Sequence, residues 1–203
     1  MLQSKASVYL NKDVLARKRA FDLLVASASL IIASPVVLAC MAAIRLSSRG
    51  PAIFRQSRLG LNETTFTCFK LRTMYEETPE APSHETSASA VTPLGRWLRR
   101  LKFDELPQLW NVLRGDMSLV GPRPCLPAQT ELIEARRAFE LHRIRPGMTG
   151  VAQAGGIDMS DPQRLAEVDA TYLQKMSLLT DLDILIRTFL GGPKRDGVAN
   201  RVE

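Results

Sequence analysis

The longest hydrophobic segment of the chain lies near its N-terminus. Between Phe21 and Ile44 the only ionised residue is Asp22, and the 22 residues from Leu23 to Ile44 carry no charge. About 20 apolar residues in a helix are enough to cross a hydrocarbon core of about 30 Å. Basic residues flank the segment on both sides: Lys5, Lys12, Arg17, Lys18 and Arg19 before it, and Arg45, Arg49, Arg55 and Arg58 after it. The pattern predicts a helix embedded in a membrane.

Four interpretations of this segment compete: a signal peptide, a straight spanning helix, a buried core helix and a helix that enters the membrane and turns back. Positive charge marks the cytoplasmic side of short loops, so basic residues at both ends argue against a simple span. Pro35 lacks the N–H that would bond the Ile31 carbonyl, and the Ser34 hydroxyl can bond a carbonyl one turn back. We therefore favour a re-entrant helix-break-helix with its break at Ser34-Pro35.

After the apolar segment the chain contains runs whose side chains alternate between two faces. Residues 52–74 contain two β-rich runs joined through Leu59-Gly60-Leu61-Asn62, which predicts a β-hairpin. In the second run, alternation places four side chains on one face: Phe66, Cys68, Lys70 and Arg72. Lys70 and Arg72 are then positioned to bind one anion together. A solvated basic strand face is the alternative.

Helical spacing dominates the rest of the chain. A short helix is predicted from about Pro93, another with Asp104 as its N-cap and Pro107 in its first turn, and two more at residues 128–142 and 162–176. Residues 76–92 form a predicted loop, in which His84 has no assigned role. Residues 145–150 are predicted to form a tight turn. The last helix carries an apolar stripe that suits a membrane interface or the core: Leu178, Leu182, Leu185, Ile186 and Phe189.

These elements predict an α+β fold, mostly helical with a small β-hairpin. We expect residues 1–50 to form the basic leader and the re-entrant membrane hairpin. Residues 51–203 are then a catalytic domain on the cytosolic face, with interfacial amphipathic helices.

Composition adds an expected partner. The 203 residues include 27 Lys and Arg against 21 Asp and Glu, a net charge of +6, which favours an anionic partner: nucleic acid, acidic lipid headgroups or a nucleotide. Cys40, Cys68 and Cys125 share no metal-ligand spacing, so a disulfide framework or zinc site is not expected. We expect three small buried residues instead.

The candidate chemistry lies in residues 97–124. Asp104 and Glu105 are adjacent there, surrounded by arginines. Cations that hold phosphate leave a carboxylate pair for a metal or for nucleophilic attack. Adjacent helical residues point about 100° apart, so the two carboxylates have different roles. Arg123 lies between two prolines, and this stiff backbone makes it a good candidate to bind an oxyanion.

Taken together, these motifs resemble the bacterial sugar-transferase family, the small monotopic phosphoglycosyl transferases that begin membrane-bound glycan assembly. The resemblance runs from Arg17 to about Gly192. It rests on the order of several motifs: Ser34-Pro35 in the hydrophobic hairpin, Arg58-Leu59-Gly60, the run FKLRTM at residues 69–74, DELPQL at 104–109, GDMSLVGPRP at 115–124, RPGMTG at 145–150, and the late Tyr172 and Asp181-Leu182. The sequence departs from the family pattern at Val151 and at residues 153–156.

The resemblance implies transfer of a sugar-1-phosphate from a UDP-sugar to polyprenol (undecaprenyl) phosphate, with release of UMP and a requirement for Mg²⁺. Asp104 would form a covalent phosphosugar intermediate, and Glu105 would hold Mg²⁺ with it or orient the second nucleophile. Phosphate charge would be neutralised by Lys70, Arg72, Arg99, Arg123 and Arg145.

The setting that the resemblance implies is monotopic, in the bacterial inner membrane and facing the cytoplasm. Phospholipids are expected partners, nucleic acid is not, and homodimer formation is left open. Two other functions remain: a non-catalytic membrane-anchored binder of anionic lipid or polyanion, and a phosphohydrolase that uses the same carboxylate.

Overall fold

The computed structural model describes residues 11–78, 88–157 and 159–190. It shows a mostly helical α+β fold, as predicted. Its helices are α1 (Lys12–Ser47), α2 (Pro93–Arg100), α3 (Gln108–Arg114), α4 (Thr130–Ala138), α5 (Val151–Gly155), α6 (Pro162–Gln174) and α7 (Leu178–Leu190). Its strands are β1 (Ile53–Leu59), β2 (Thr65–Leu71), β3 (Ser118–Val120) and β4 (Gly147–Thr149). Short 3₁₀ turns occur at Leu61–Glu63, Ala88–Ala90, Phe103–Glu105 and Leu141–Arg143.

The apolar segment lies within α1, and the helix continues through Ser34 and Pro35. The predicted break in the helix is therefore not observed. The Ser34 hydroxyl donates a hydrogen bond of 2.8 Å to the Ile31 carbonyl, the group that Pro35 cannot reach because it has no N–H. A side-chain donor thus replaces the missing backbone donor, which keeps the helix continuous at this point.

Among the residues described, α1 is the one helix long and apolar enough to cross a membrane. Only 6% of its most apolar 18-residue window is buried against the rest of the chain. A core helix of a globular protein would be covered on most of its surface, so the core-helix interpretation is wrong.

One face of α1 packs along the rest of the fold. Ala26, near the middle of the helix, is fully buried in a cluster with Val112 of α3. Towards the end of the helix Ile44 is buried, and Val37 and Met41 pack against the same cluster. The opposite face of the helix is exposed, including Ile31, Ile32 and Leu38.

The predicted β-hairpin is confirmed. β1 and β2 are antiparallel, with Ile53 opposite Leu71 and Gln56 opposite Cys68. Asn62 in the connecting turn has a φ of 52°, a left-handed conformation that asparagine tolerates better than most residues do.

Residues 145–150 do not form the predicted tight turn. Gly147–Thr149 is instead β4, which pairs in parallel with β3, with Ser118 opposite Gly147 and Val120 opposite Thr149. A Cβ at Gly147 would lie 2.1 Å from the Gly121 backbone nitrogen. Glycine is required here because two backbones approach closely, and this proximity arises from residues distant in sequence.

The remaining predicted helices occur near their expected positions: residues 128–142 contain α4 and a 3₁₀ turn, and residues 162–176 contain α6. All three cysteines are free. Cys68 and Cys125 are buried, as expected, whereas Cys40 is only partly buried. His84 lies outside the described residues.

The apolar stripe of α7 is largely exposed, although its opposite face packs inward. Ile184 and Asp181 are buried, whereas Phe189 is 84% exposed and Leu182 and Ile186 are about half exposed. Most of the predicted stripe therefore does not close the core.

Candidate active site

The backbone between α2 and α3 sets the position of the acidic pair. α2 ends at Arg100, Lys102 adopts a left-handed φ of 58°, and Phe103–Glu105 forms one 3₁₀ turn. α3 begins only at Gln108, with Pro107 at the N-cap position and no side-chain cap. The prediction that Asp104 caps this helix is therefore wrong. Its carboxylate is free for another role.

Asn111 joins α3 to β2 and so brings the pair next to the hairpin. Its side-chain oxygen accepts a hydrogen bond of 3.0 Å from the Phe69 N–H, and its amide nitrogen donates one of 2.7 Å to the Thr67 carbonyl. Asn111 is fully buried. Sequence reasoning missed this residue, since a polar residue within an apolar helix pattern is the only signal for it.

Glu105 is held by two cations. Lys70 Nζ lies 3.0 Å and Arg123 Nη2 lies 3.2 Å from the same oxygen, Glu105 Oε1. Burial alone would raise the pKa of Glu105, but the charges and hydrogen bonds of Lys70 and Arg123 lower it to about 2. Glu105 is therefore ionised throughout the neutral range and fixed in orientation.

The pKa of Asp104 is shifted in the opposite direction from that of Glu105. Asp104 is 8% exposed, and within the described ranges no group donates a hydrogen bond to its carboxylate. Burial and the neighbouring Glu105 charge raise its pKa to about 6, while Lys70, Arg99 and Arg123 partly offset the rise. Asp104 is thus the more basic and less constrained of the two carboxylates.

Arg99 reaches the pair from α2. Its Nε donates a 2.9 Å hydrogen bond to Thr73 Oγ1, and its charge acts on Asp104. Gly95 allows α2 to approach closely, because a Cβ there would lie 2.0 Å from the Thr73 carbonyl oxygen. The structure therefore brings together five of the predicted site residues: Lys70, Arg99, Asp104, Glu105 and Arg123.

Arg72 and Arg145 are placed elsewhere. Arg72 follows the end of β2, and its guanidinium donates to the carbonyls of Ser48 and Arg49 just after α1. Lys70 instead pairs with Glu105, so the two side chains have separate partners. Arg145 Nε donates a 2.8 Å hydrogen bond to the Gly115 carbonyl, at the far end of α3 from the acidic pair. Both guanidinium groups donate hydrogen bonds to backbone carbonyls at the C-terminal end of a helix, α1 for Arg72 and α3 for Arg145. Spacing along the sequence does not predict these contacts.

A small cleft adjoins the pair on the side of Lys70 and Arg123. It is lined by Arg58, Cys68, Lys70, Gln108, Arg123, Pro124, Gly147 and Met148. Burial and the nearby Arg123 lower the pKa of Arg58 to about 10. Arg58 and Gln108 had no role in the sequence prediction, although both lie in motifs that it singled out.

The acidic pair is the candidate site for a metal ion. The described residues contain no group of three or more His, Cys, Asp or Glu side chains close enough to hold an ion. Mg²⁺ needs only one or two carboxylates when phosphate oxygens and water complete its octahedral shell. Asp104 and Glu105 fit that donor set. The described residues do not bring together enough side chains for a metal site formed by protein ligands alone.

Residues 13–193 match the family model for bacterial sugar transferases. The chain belongs to the bacterial sugar transferase family. Among its relatives, the UDP-glucose:undecaprenyl-phosphate glucose-1-phosphate transferase of Caulobacter vibrioides is 43% identical over 182 residues, covering 85% of this chain and 68% of the relative.

Two further relatives differ in the share of their own length that the chain covers. The exopolysaccharide production protein ExoY of Rhizobium meliloti is 39% identical over 189 residues, covering 84% of this chain and 83% of the relative. The undecaprenyl-phosphate glucose phosphotransferase of Komagataeibacter xylinus is 42% identical over 185 residues, but the chain spans only 35% of its length.

Proposed function

We propose that this chain transfers a sugar-1-phosphate from a UDP-sugar to undecaprenyl phosphate at a membrane surface and releases UMP. The observation that carries the proposal is the contrast between the two carboxylates. Asp104 is buried and accepts no hydrogen bond from the residues that the structure describes, and Glu105 beside it is fixed by Lys70 and Arg123. Relatives named as transferases of this class support the substrates.

Covalent catalysis divides the transfer into two displacements. The Asp104 carboxylate attacks the β-phosphorus of the donor, forming an acyl phosphate as the bond to the UMP oxygen breaks. A phosphate oxygen of the lipid acceptor then attacks the same phosphorus and releases the Asp104 carboxylate. A carboxylate held by strong hydrogen bonds would be a poor nucleophile, so the freedom of Asp104 suits this role.

The surrounding cations stabilise the charge that develops. Lys70, Arg99 and Arg123 approach the pair from three different elements, so phosphate oxygens can be contacted from several directions. Bound Mg²⁺ would be held by Asp104 and Glu105 and would supply further neutralisation of the donor's diphosphate. The low pKa of Glu105 keeps this residue anionic for that purpose.

The contacts of α1 support a monotopic placement at the inner membrane, along one leaflet rather than across the bilayer. A span would carry the two ends of the apolar segment to opposite headgroup layers, about 30 Å apart. Here one face of the continuous helix packs on the same body of protein from Ala26 to Ile44, and its opposite face is exposed to lipid. Basic residues at both ends of the apolar segment fit a helix that stays on the cytoplasmic side.

Exposed apolar side chains suit the same interface. Phe189 and Leu182 lie exposed on α7, and Trp97 and Trp110 are more than half exposed on α2 and α3. Apolar and aromatic groups of this kind lie favourably at the boundary between headgroups and acyl chains. A surface-bound site meets the acceptor phosphate at headgroup height and raises its effective concentration.

This disposition gives a prediction about topology. Cysteine labels introduced beside each end of α1, at Asn11 and at Ser48, are expected to react with a membrane-impermeant maleimide from the same side of sealed vesicles. Labelling from opposite sides would show a spanning helix. A variant labelled at Ile31 alone reports the membrane-embedded part and is expected to be protected from either side.

The function is tested with a panel of radiolabelled UDP-sugars, Mg²⁺, and undecaprenyl phosphate in nanodiscs. Transfer predicts UMP together with a lipid-linked product. A phosphohydrolase would give free sugar phosphate whether or not the lipid is present. A non-catalytic binder would release no UMP from any donor.

The pKa of Asp104 predicts the pH dependence of the first displacement. The nucleophile must be ionised, so protonation below pH 6 removes activity. Single-turnover UMP release without the acceptor is measured at donor and Mg²⁺ concentrations well below saturation, so that the profile reports the pKa of the free enzyme. It is expected to fall about tenfold per pH unit below a midpoint near 6. Omitting the acceptor removes the ionisation of its phosphate from the profile. A midpoint near 4, the ordinary value for aspartate, would contradict the assignment.

A further inference from the structure

Three consecutive backbone carbonyls in the loop that carries Arg123 accept hydrogen bonds from other parts of the fold. Arg136 Nη1 donates to the Arg123 carbonyl at 2.8 Å, and Arg58 Nη1 donates to the Pro124 carbonyl at 3.0 Å. The Leu59 N–H donates to the Cys125 carbonyl, also at 3.0 Å. These donors come from α4 and β1, so the loop is fixed against two separate elements.

Arg136 is itself fixed within the protein. It is 8% exposed, and its Nη2 lies 3.2 Å from the Asp169 carboxylate on α6, which is 3% exposed. A buried guanidinium with a buried counter-charge is much less free to reorient than a surface arginine, because leaving either charge unpaired is costly. One guanidinium thus binds an α6 carboxylate and the backbone carbonyl of a site residue at once.

The Arg123 carbonyl is the position at which such control matters. Pro122 fixes the backbone before Arg123, and Pro124 restricts Arg123 to extended conformations. Rotation of the peptide that follows Arg123 remains, and the Arg136 hydrogen bond to the Arg123 carbonyl limits it. The Arg123 guanidinium, which is one-third exposed, then reaches Glu105 Oε1 at 3.2 Å.

We propose that Arg136 is a positioning residue for the transfer reaction, acting through the Arg123 carbonyl to hold the Arg123 guanidinium against Glu105, with Asp169 orienting Arg136. The inference rests on the proposed function, since it assumes that Arg123 assists phosphoryl transfer. Arg136 contacts neither carboxylate of the acidic pair. Its effect on the reaction therefore depends on the presence of the Arg123 side chain.

A double-mutant cycle tests this dependence. Arg136→Met keeps the length of the side chain and removes both donors. Single-turnover UMP release is expected to slow roughly 10- to 100-fold, as for other residues that orient a catalytic group. In an Arg123→Ala background the same change is expected to slow release by less than about twofold. Arg137→Met is the matched control, because Arg137 is the next residue of α4 and pairs with Glu63 at the surface.

A purely structural role would give the same loss in both backgrounds, and that result overturns the inference. A normal rate for Arg136→Met, with Arg123→Ala slow, overturns it while leaving the proposed function intact. A wild-type chain that releases no UMP from any UDP-sugar instead overturns the proposed function. Thermal melts accompany each variant. Should Arg136→Met fail to fold, Asp169→Asn takes its place in the cycle, with a smaller loss that is again expected to vanish in the Arg123→Ala background.

Discussion

Asp104→Asn is expected to abolish UMP release and at the same time to stabilise the fold. Loss of a covalent nucleophile lowers turnover on the order of 10⁴-fold or more. The stability gain follows from the pKa of Asp104, which is raised from 3.8 to about 6. The folded state then binds a proton more tightly than the unfolded state, so stability falls as pH rises through that window. At neutral pH the ionised carboxylate costs about 3 kcal/mol, which asparagine avoids.

The measurement compares thermal unfolding of the two proteins in nanodiscs at pH 4 and pH 7.5. The variant is expected to melt several degrees higher at pH 7.5 and within a degree or two of wild type at pH 4. Asp183→Asn serves as the control, since Asp183 is exposed and pairs with Arg187 on the surface of α7. Retained turnover in Asp104→Asn would exclude this residue as the nucleophile.

Lys18→Met is expected to destabilise the protein by about 3–5 kcal/mol, because it leaves a buried carboxylate without its counter-charge. Lys18 Nζ lies 2.6 Å from Asp181 Oδ2, and Asp181 is fully buried. The Tyr172 hydroxyl donates to the other oxygen at 2.6 Å. Lys18 therefore joins the start of α1 to α6 and α7 through one carboxylate.

Chemical or thermal unfolding measures this loss, and Arg17→Met controls for removal of a positive charge from the same turn, since Arg17 is exposed. The double variant Lys18→Met, Asp181→Asn is expected to recover part of the stability, because the unpaired charge is gone. Equal stability of the single variant and wild type would show that the pair contributes nothing to the fold.

Local patterns predicted the elements that depend on local interactions. The long apolar helix, the hairpin, α2 and α6 follow from runs of apolar residues, alternation or helical spacing. The predicted turn at residues 145–150 was wrong because β4 forms only by pairing with β3, about 30 residues earlier. Asp181 is not part of the predicted apolar stripe of α7. It is buried because Lys18, 163 residues away in sequence, supplies the opposite charge.

In the candidate site, too, the sequence predicted what depends on neighbouring residues and not what depends on distant ones. The sequence identified the acidic pair and the arginines around it, and it required that Asp104 and Glu105 differ in role. Which carboxylate does what depends on Lys70 and Arg123, which meet on Glu105 from 35 and 18 residues away. In the structure the Arg72 side chain contacts the end of α1, and the Arg145 side chain contacts the end of α3. Spacing along a strand or turn carries no information about these long-range partners.

The packing of α1 along the protein has a consequence for the choice of lipid. A spanning helix must match the thickness of the hydrocarbon layer, and it tilts or deforms the bilayer when it does not. A helix that lies along one leaflet, packed on the protein from Ala26 to Ile44, has no second headgroup layer to match. The proposed monotopic placement therefore predicts that activity depends little on acyl-chain length, so that vesicles of short-chain and long-chain phospholipids support similar rates at equal surface charge.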